Sequence, residues 1–216
     1  MQLYIAYKNY SSWSLRPWIA LKVKGVTFEE TVLPFHNDDA LDQFGLKHQI
    51  PAKAPVLIDN GLVIWDSMAI LEYLAEQYPE RGFWPQEKNL RSLARSAAAE
   101  MHSSFFALRS TCPMNCRKER RVPVSAEVEV DLKRLAEIWQ HFEQAKNPAG
   151  DFLCGEFCNV DAMYAPVMWR VRNYGLKVSP AFDRWVQAMY ELPEMQEWLA
   201  DAKAEEAKWV LPQYED

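Results

Sequence analysis

The chain has 216 residues, 49% of them apolar and 25% charged, with a formal net charge of −6. Those are the proportions of a globular protein whose core needs no covalent staples, and they exclude a disordered, collagen-like or disulfide-scaffold chain. The acidity argues against nucleic acid or an anionic membrane surface as a bulk partner. No uncharged apolar stretch approaches the ~18 residues of a membrane span. The opening MQLYIAYKNYSS has neither a basic nor an apolar leader segment, so a cytoplasmic protein is expected. Nine Trp point to thick helix packing or an aromatic-walled pocket.

Leu3 to Ala6 read as a short buried strand. A polar cluster, Asn9 to Ser12, follows, and then a helix that spans Leu15 to Lys24 and stops at Gly25. Pro17 is tolerated only in a first turn, so the helix is expected to begin near Trp13 or Ser14. Phe28 to Leu33 reads as a second strand, parallel to the first because a helix links them. Asn37 to Leu46 has a weak helical signal. Val56–Ile58 and Leu62–Trp65 are joined by Asp59-Asn60-Gly61, a strong hairpin signal. Asp66 or Ser67 then caps the helix SMAILEYLAEQY, which Pro79 ends.

Residues 79–85 read as a linker by composition, and everything after them as helix. Leu90 to Leu108 is expected as one helix and Ser125 to Lys146 as another. The latter has Val128, Leu132, Leu135, Ile138, Trp139 and Phe142 at helical spacing. Asp161 to Tyr174 is apolar enough to be central. Pro180–Leu192 and Pro193–Ala207 are two more helices, each opened by proline. The expected organisation is an α/β unit over 1–79 and an all-α unit over 86–216.

Cys112, Cys116, Cys154 and Cys158 form two C-x3-C pairs. Their surroundings lack the tight turns of a zinc site, and four free, partly buried thiols are the expected state. At the first strand–helix turn, Ser11, Ser12 and Ser14 stand where a helix amino end offers unpaired N–H groups and a positive dipole. They read first as caps; the same place suits an anion or thiolate. Pro55 precedes a strand, and a cis bond there turns the Ala54 backbone outward to pair with an extended peptide. Asp66-Ser67 opens another helix, ready for a ligand carboxylate and ammonium. Together the three segments suit a small zwitterionic peptide that carries a thiol.

NYSSWSLRPWIALKVKGVTFE, KAPVLIDNGLVIWDSMAILEYLAE, EMHSSFFALRSTCPMN and FCNVDAMYAPV stand in this order along the chain, apart from the last two being separated by a helix. In them the chain resembles cytosolic glutathione S-transferases, closest to the serine-type, zeta-like pattern, over nearly its whole length. The resemblance implies a thioredoxin-like N-terminal domain, a helical C-terminal domain, a homodimer, and glutathione as co-substrate rather than a resident cofactor. It implies that Ser11, with Ser12 as competitor, activates the glutathione thiol for attack on a hydrophobic electrophile. Trp13, His48, Lys53, Ala54, Pro55, Asp66 and Ser67 are then the expected glutathione contacts. Trp13, Met101, His102, Phe105 and Arg109 are the expected electrophile wall. No metal is implied. A glutathione-dependent isomerase and a non-catalytic protein like the stringent-starvation proteins are the alternatives. Trp13 stands where zeta isomerases have cysteine, Asp66 where Glu or Gln is usual, and Cys158 where Ser or Thr usually caps. Trp18 suits the cleft or the core. The run Arg117 to Arg121 reads as a solvated loop, and Trp209 and Tyr214 as a tail that packs or folds back over the site.

Overall fold

The computed structural model describes residues 1–34, 39–145 and 149–215. Its first half is β1 (Gln2–Ile5), α1 (Ser12–Val23), β2 (Glu29–Val32), α2 (Ala40–His48), β3 (Val56–Asp59), β4 (Leu62–Trp65) and α3 (Ser67–Gln77). The strands form one sheet in the order β2-β1-β3-β4. β1 and β2 are parallel, and the other pairs are antiparallel. Leu3 lies opposite Leu57, both fully buried, which puts the apolar face of the centre strands against α1 and α3. The hairpin turns as its residues require: Asn60 and Gly61 both have positive φ, 49° and 84°. This is the thioredoxin-like arrangement the sequence predicts, with a helical region after it.

α1 begins at Ser12, so Pro17 sits in its second turn, not the first. The start is set by Ser11, whose hydroxyl caps the helix. The weak helical signal at Asn37 to Leu46 corresponds to α2; Asn37 and Asp38 lie outside the described residues. The segment at 79–85 is not a free linker. Phe83 and Trp84 are buried, and the Arg81 guanidinium donates to the carbonyls of Lys24 and Gly25 at the end of α1.

The helical region comprises α4 (Lys88–Ser103), α5 (Phe106–Thr111), α6 (Ala126–Gln144), α7 (Asn159–Tyr174), α8 (Pro180–Glu191) and α9 (Pro193–Ala204). The single helix expected over Leu90 to Leu108 is broken, because Phe105 adopts the left-handed conformation at φ 61°. That turn buries the Phe105 ring beside Tyr164, and α5 restarts on a carboxylate from a different helix. Asp131 of α6 accepts from the Leu108 N–H at 2.8 Å. Trp18 belongs to the core: it is fully buried against Trp198, with its indole N–H on Glu30. All four cysteines are free and buried. Among the described residues no helix is long and apolar enough to cross a membrane, and no cluster of metal-ligating side chains occurs.

α7 is the axis of the helical region, buried along almost all its length and packed against α1, α4 and α8. Its start is an all-buried polar knot. The Asp161 carboxylate accepts from the Cys158 and Leu153 backbone N–H groups and from the Trp185 indole, at 2.9, 3.0 and 2.9 Å. Burial pushes this carboxyl up to about 6, although its three donors pull the other way. Trp185 carries the knot on to Trp139 and Phe182, whose rings lie 5.0 and 5.3 Å from its own. Asp161→Ala strands three buried donors, each worth about 1–3 kcal/mol. Urea denaturation is expected to show a loss of roughly 3 kcal/mol or more, with Asp161→Asn intermediate. A loss under ~1 kcal/mol removes the knot from its place as the organiser of α7.

Candidate functional site

Where the amino ends of α1 and α3 meet α5, a cleft of about 1030 Å³ opens. Each wall follows from local backbone chemistry. Ser11 ends the β1–α1 turn, its N–H bonded to the Tyr7 carbonyl, and its hydroxyl accepts weakly from the Ser14 N–H. The Ser11 and Ser14 hydroxyl oxygens stand 2.7 Å apart, and Ser14 Oγ also accepts from the Ala6 N–H. This buried chain allows Ser14 to donate to Ser11, which leaves the Ser11 proton for the cleft. Ser12 is half-buried, lines the cleft and heads the helix.

The Ala54–Pro55 bond is cis. Beside it the backbone N–H and C=O of Ala54 have no partner among the described residues and border the cleft, as a peptide-binding edge requires. Lys53 is exposed at the same rim. Asp66, at φ 75°, caps α3 with one carboxylate oxygen on the Met68 and Ala69 N–H groups. Its other oxygen is 2.8 Å from His102 Nε2. Ser67 is fully buried at the cleft floor, 3.5 Å from an Arg16 nitrogen.

The opposing wall is aromatic and cationic. The Trp13 ring carries Arg16 at 4.1 Å and Arg109 at 4.8 Å, and meets His102 edge-on. Arg16 is buried and donates to the Met163 carbonyl of α7. Arg170, also from α7, reaches under α5, where one nitrogen bonds the carbonyls of Arg109 and Cys112. Burial and the neighbouring cations pull Arg16 down to about 9 and Arg170 to about 10, so both stay charged at neutral pH.

The structure thus brings Ser11, Ser12, Trp13, Lys53, Ala54, Pro55, Asp66, Ser67 and Arg109 to one cleft, with His102 behind Asp66. Three expected residues stand elsewhere. His48 is not among the cleft-lining residues; its ring lies tilted against Phe44 within α2, 4.5 Å between centroids. Met101 and Phe105 face the helical core, the latter rotated inward by the break before α5.

Sequence reading missed Met114 and Arg170, which line the cleft beside Phe106 and Tyr214. Arg170 carries no motif, and nothing in the sequence sets it apart from Arg172, two residues on in the same helix. Tyr214 arrives because the tail folds back. Its ring lies 5.6 Å from Tyr10, and Trp209 lies 5.3 Å from Tyr7. Glu215 bonds the Tyr10 hydroxyl, Asn115 and Arg117. Arg117 is therefore half-buried in this clasp and not simply solvated.

Residues 10–77 match the family of the glutathione S-transferase N-terminal domain. The chain is 28% identical to the stringent starvation protein A homolog of Haemophilus ducreyi over 170 residues, 79% of this chain and 75% of that one. It is 28% identical to a zeta class glutathione S-transferase of Euphorbia esula over 206 residues, covering 93% and 90%. A sphingomonad glutathione S-transferase solved in complex with glutathione superposes with a TM-score of 0.67 at 21% identity, covering 95% of this chain and 100% of that one. Residues 10–77 are thus a glutathione S-transferase N-terminal domain, and the chain as a whole has the glutathione S-transferase fold.

Proposed function

We propose that the protein is a glutathione transferase that holds the glutathione thiolate at the amino end of α1. The observation that carries this reading is the unpaired Ala54 backbone, facing the Ser11 hydroxyl chain across one cleft. The tripeptide pairs with Ala54, sets its γ-glutamyl carboxylate at the start of α3 and its ammonium toward Asp66, and places its glycyl carboxylate near Lys53. The Ser11 hydroxyl, with Ser12 as the alternative, donates to the sulfur. The helix dipole and that hydrogen bond favour the thiolate, and its proton passes to solvent. The sulfur then bonds to the electrophilic carbon while the leaving group departs with its bonding pair. Proximity in the cleft supplies the rest of the acceleration. The tripeptide serves as co-substrate, and the helical region from residue 86 onward supplies the second pocket.

A second reading, a non-catalytic protein on the same fold, draws on the likeness to the stringent starvation protein A homolog. A glutathione-dependent isomerase stays a subclass of the first reading, supported by the likeness to zeta class enzymes. Glutathione at a hundredfold excess over its Kd should stabilise the fold by about 2.7 kcal/mol. In a protein of this size that raises Tm by roughly 5–10 °C. No shift at 10 mM glutathione sinks the catalytic reading.

Loss of a hydrogen bond to a charged group costs about 1.5–3 kcal/mol. One activating variant, Ser11→Ala or Ser12→Ala, should therefore lower kcat/KM on the order of 10–100-fold. The same variant should raise the thiol pKa of the binary complex by about 1–2 units, read from the thiolate absorbance against pH. A Ser11→Ala protein with an unchanged thiol pKa passes the role to Ser12; if both variants leave it unchanged, neither serine activates the thiol.

His102 does not itself line the cleft, but it backs two of its walls, bonding Asp66 and meeting Trp13 edge-on. His102→Ala should raise the glutathione KM several-fold with kcat little changed; an equal fall in kcat argues against a purely positioning role.

A further inference from the structure

The two C-x3-C pairs share one spacing, and the structure gives them different surroundings. The Cys116 thiol donates to the Lys8 carbonyl at 3.7 Å, and among the described residues no hydrogen bond joins it to Cys112. Cys154 and Cys158, in contrast, are in side-chain hydrogen-bond contact with each other. The Cys158 sulfur also meets the Val160 N–H and the Asp161 carboxylate. Both are free thiols, 6% and 3% exposed.

The backbone holds this pair in place. The chain doubles back at Gly155, which takes φ 86° and donates its N–H to the Phe152 carbonyl at 2.9 Å. Cys154 is bridged to Glu156 across the same turn. The two oxygens of Asp161 take the N–H groups of Leu153 and Cys158, so one carboxylate fastens both cysteine-bearing segments side by side. Sulfurs in contact on fixed backbones are the arrangement a disulfide requires.

The pair also sits on a seam. Cys158 opens α7, and the next residue, Asn159, donates to the carbonyls of Phe83 and of Leu71 in α3. The Lys24 ammonium, at the end of α1, lies in the field of Cys158, Glu156 and Asp161 and has no hydrogen-bond partner among the described residues. Further along α7 stand the Met163 carbonyl that holds Arg16 and the cleft residue Arg170. A covalent bond at the start of α7 therefore acts on the helix that backs the cleft.

We propose that Cys154 and Cys158 form a dithiol–disulfide switch that locks the start of α7 when a small disulfide is the oxidant. The switch stands apart from the transferase reading, since neither cysteine lines the cleft. Cys154, in the turn between the exposed Asp151 and Glu156, is the entry point. Its sulfur bonds to one sulfur of the oxidant, whose S–S bond breaks, and the first small thiol departs with the Cys154 proton. The Cys158 sulfur then bonds to the Cys154 sulfur, the mixed disulfide breaks, and the second small thiol departs. Asp161, its carboxyl raised to about 6 by burial, takes the Cys158 proton and passes it to the departing sulfur. Two cysteine thiols are oxidised by two electrons, and one small disulfide is reduced to two thiols. Burial and the neighbouring Cys154 push the Cys158 thiol up, which keeps it inert until the mixed disulfide forms beside it.

The test incubates the full chain in glutathione buffers of stepped oxidised fraction, then quenches with acid, alkylates and digests for mass spectrometry. At the oxidised end most molecules should carry a Cys154–Cys158 cross-link, lighter by two hydrogens and reversed by dithiothreitol, with Cys112 and Cys116 still alkylated. Four alkylated thiols throughout, a glutathione adduct that stops at Cys154, or equal cross-linking of Cys112 to Cys116 overturns the switch. Amide hydrogen exchange then reads the lock. Oxidation should slow exchange at Leu153 and Cys158 on the order of tenfold, because the cross-link opposes opening of the turn. Cys158→Ser, which keeps a capping side chain, should show no response to the oxidant. Cys154→Ser leaves the start of α7 intact and serves if Cys158→Ser fails to fold. Slowing that persists in either variant, or its absence in the cross-linked protein, overturns the lock. A cleft that fails to bind glutathione leaves these expectations unchanged, so the transferase reading and the switch fail separately.

Discussion

One guanidinium ties the cleft together. Arg16 rises from the second turn of α1, stacks on Trp13, donates to the Met163 carbonyl in α7, and reaches the Ser67 hydroxyl at the start of α3. α1, α3 and α7 are therefore fastened to a single planar group, itself almost fully buried. A lysine could not do this, because a point charge lacks both the flat face for the indole and the fork of donors. The cost of burying the charge is offset by the carbonyl, by the ring and by the distant field of Asp66.

The same region gathers charge against the tendency of the whole chain. A molecule of net charge −6 concentrates Arg16 and Arg109 on one indole, with Arg170 in the same cleft and a single, already occupied carboxylate nearby. Net charge therefore describes the outer surface and says little about this interior. A low-dielectric wall strengthens the field of these cations inside the cleft.

Asp66 and the tail show how segments distant in sequence share the work. Asp66 caps α3 with one oxygen and holds His102 of α4 with the other, so the first half of the chain is pinned to the second at the cleft mouth. The tail adds another pin. Glu205 accepts from the Lys8 and Asn9 N–H groups, Lys8 pairs with Asp201 and Glu30, and Glu215 closes on Tyr10 and Arg117. The β1–α1 turn that carries Ser11 is thereby enclosed between α9 and the final residues, which keeps its serines in one geometry.

Much of this was legible in the residues, and the reason is locality. Asn60-Gly61 fixes a hairpin because its dihedral preferences act within four residues. Ser11, Asp66 and Ser125 announce helix starts because a cap bonds only two or three residues away. Pro55 marks a turned backbone for the same reason. The break at Phe105 was not legible, since its cause is the fit of a ring beside Tyr164 and a cap borrowed from Asp131, 23 residues on. Nor were the buried pose of Arg170 or the position of His48 outside the cleft. By itself the sequence determined most of the elements, their order and the polar caps of α1, α3 and α6, which are set by short-range torsional and hydrogen-bonding preferences. Which side chains face the cleft was decided only by tertiary packing, because the rotation of each helix is set by partners far along the chain.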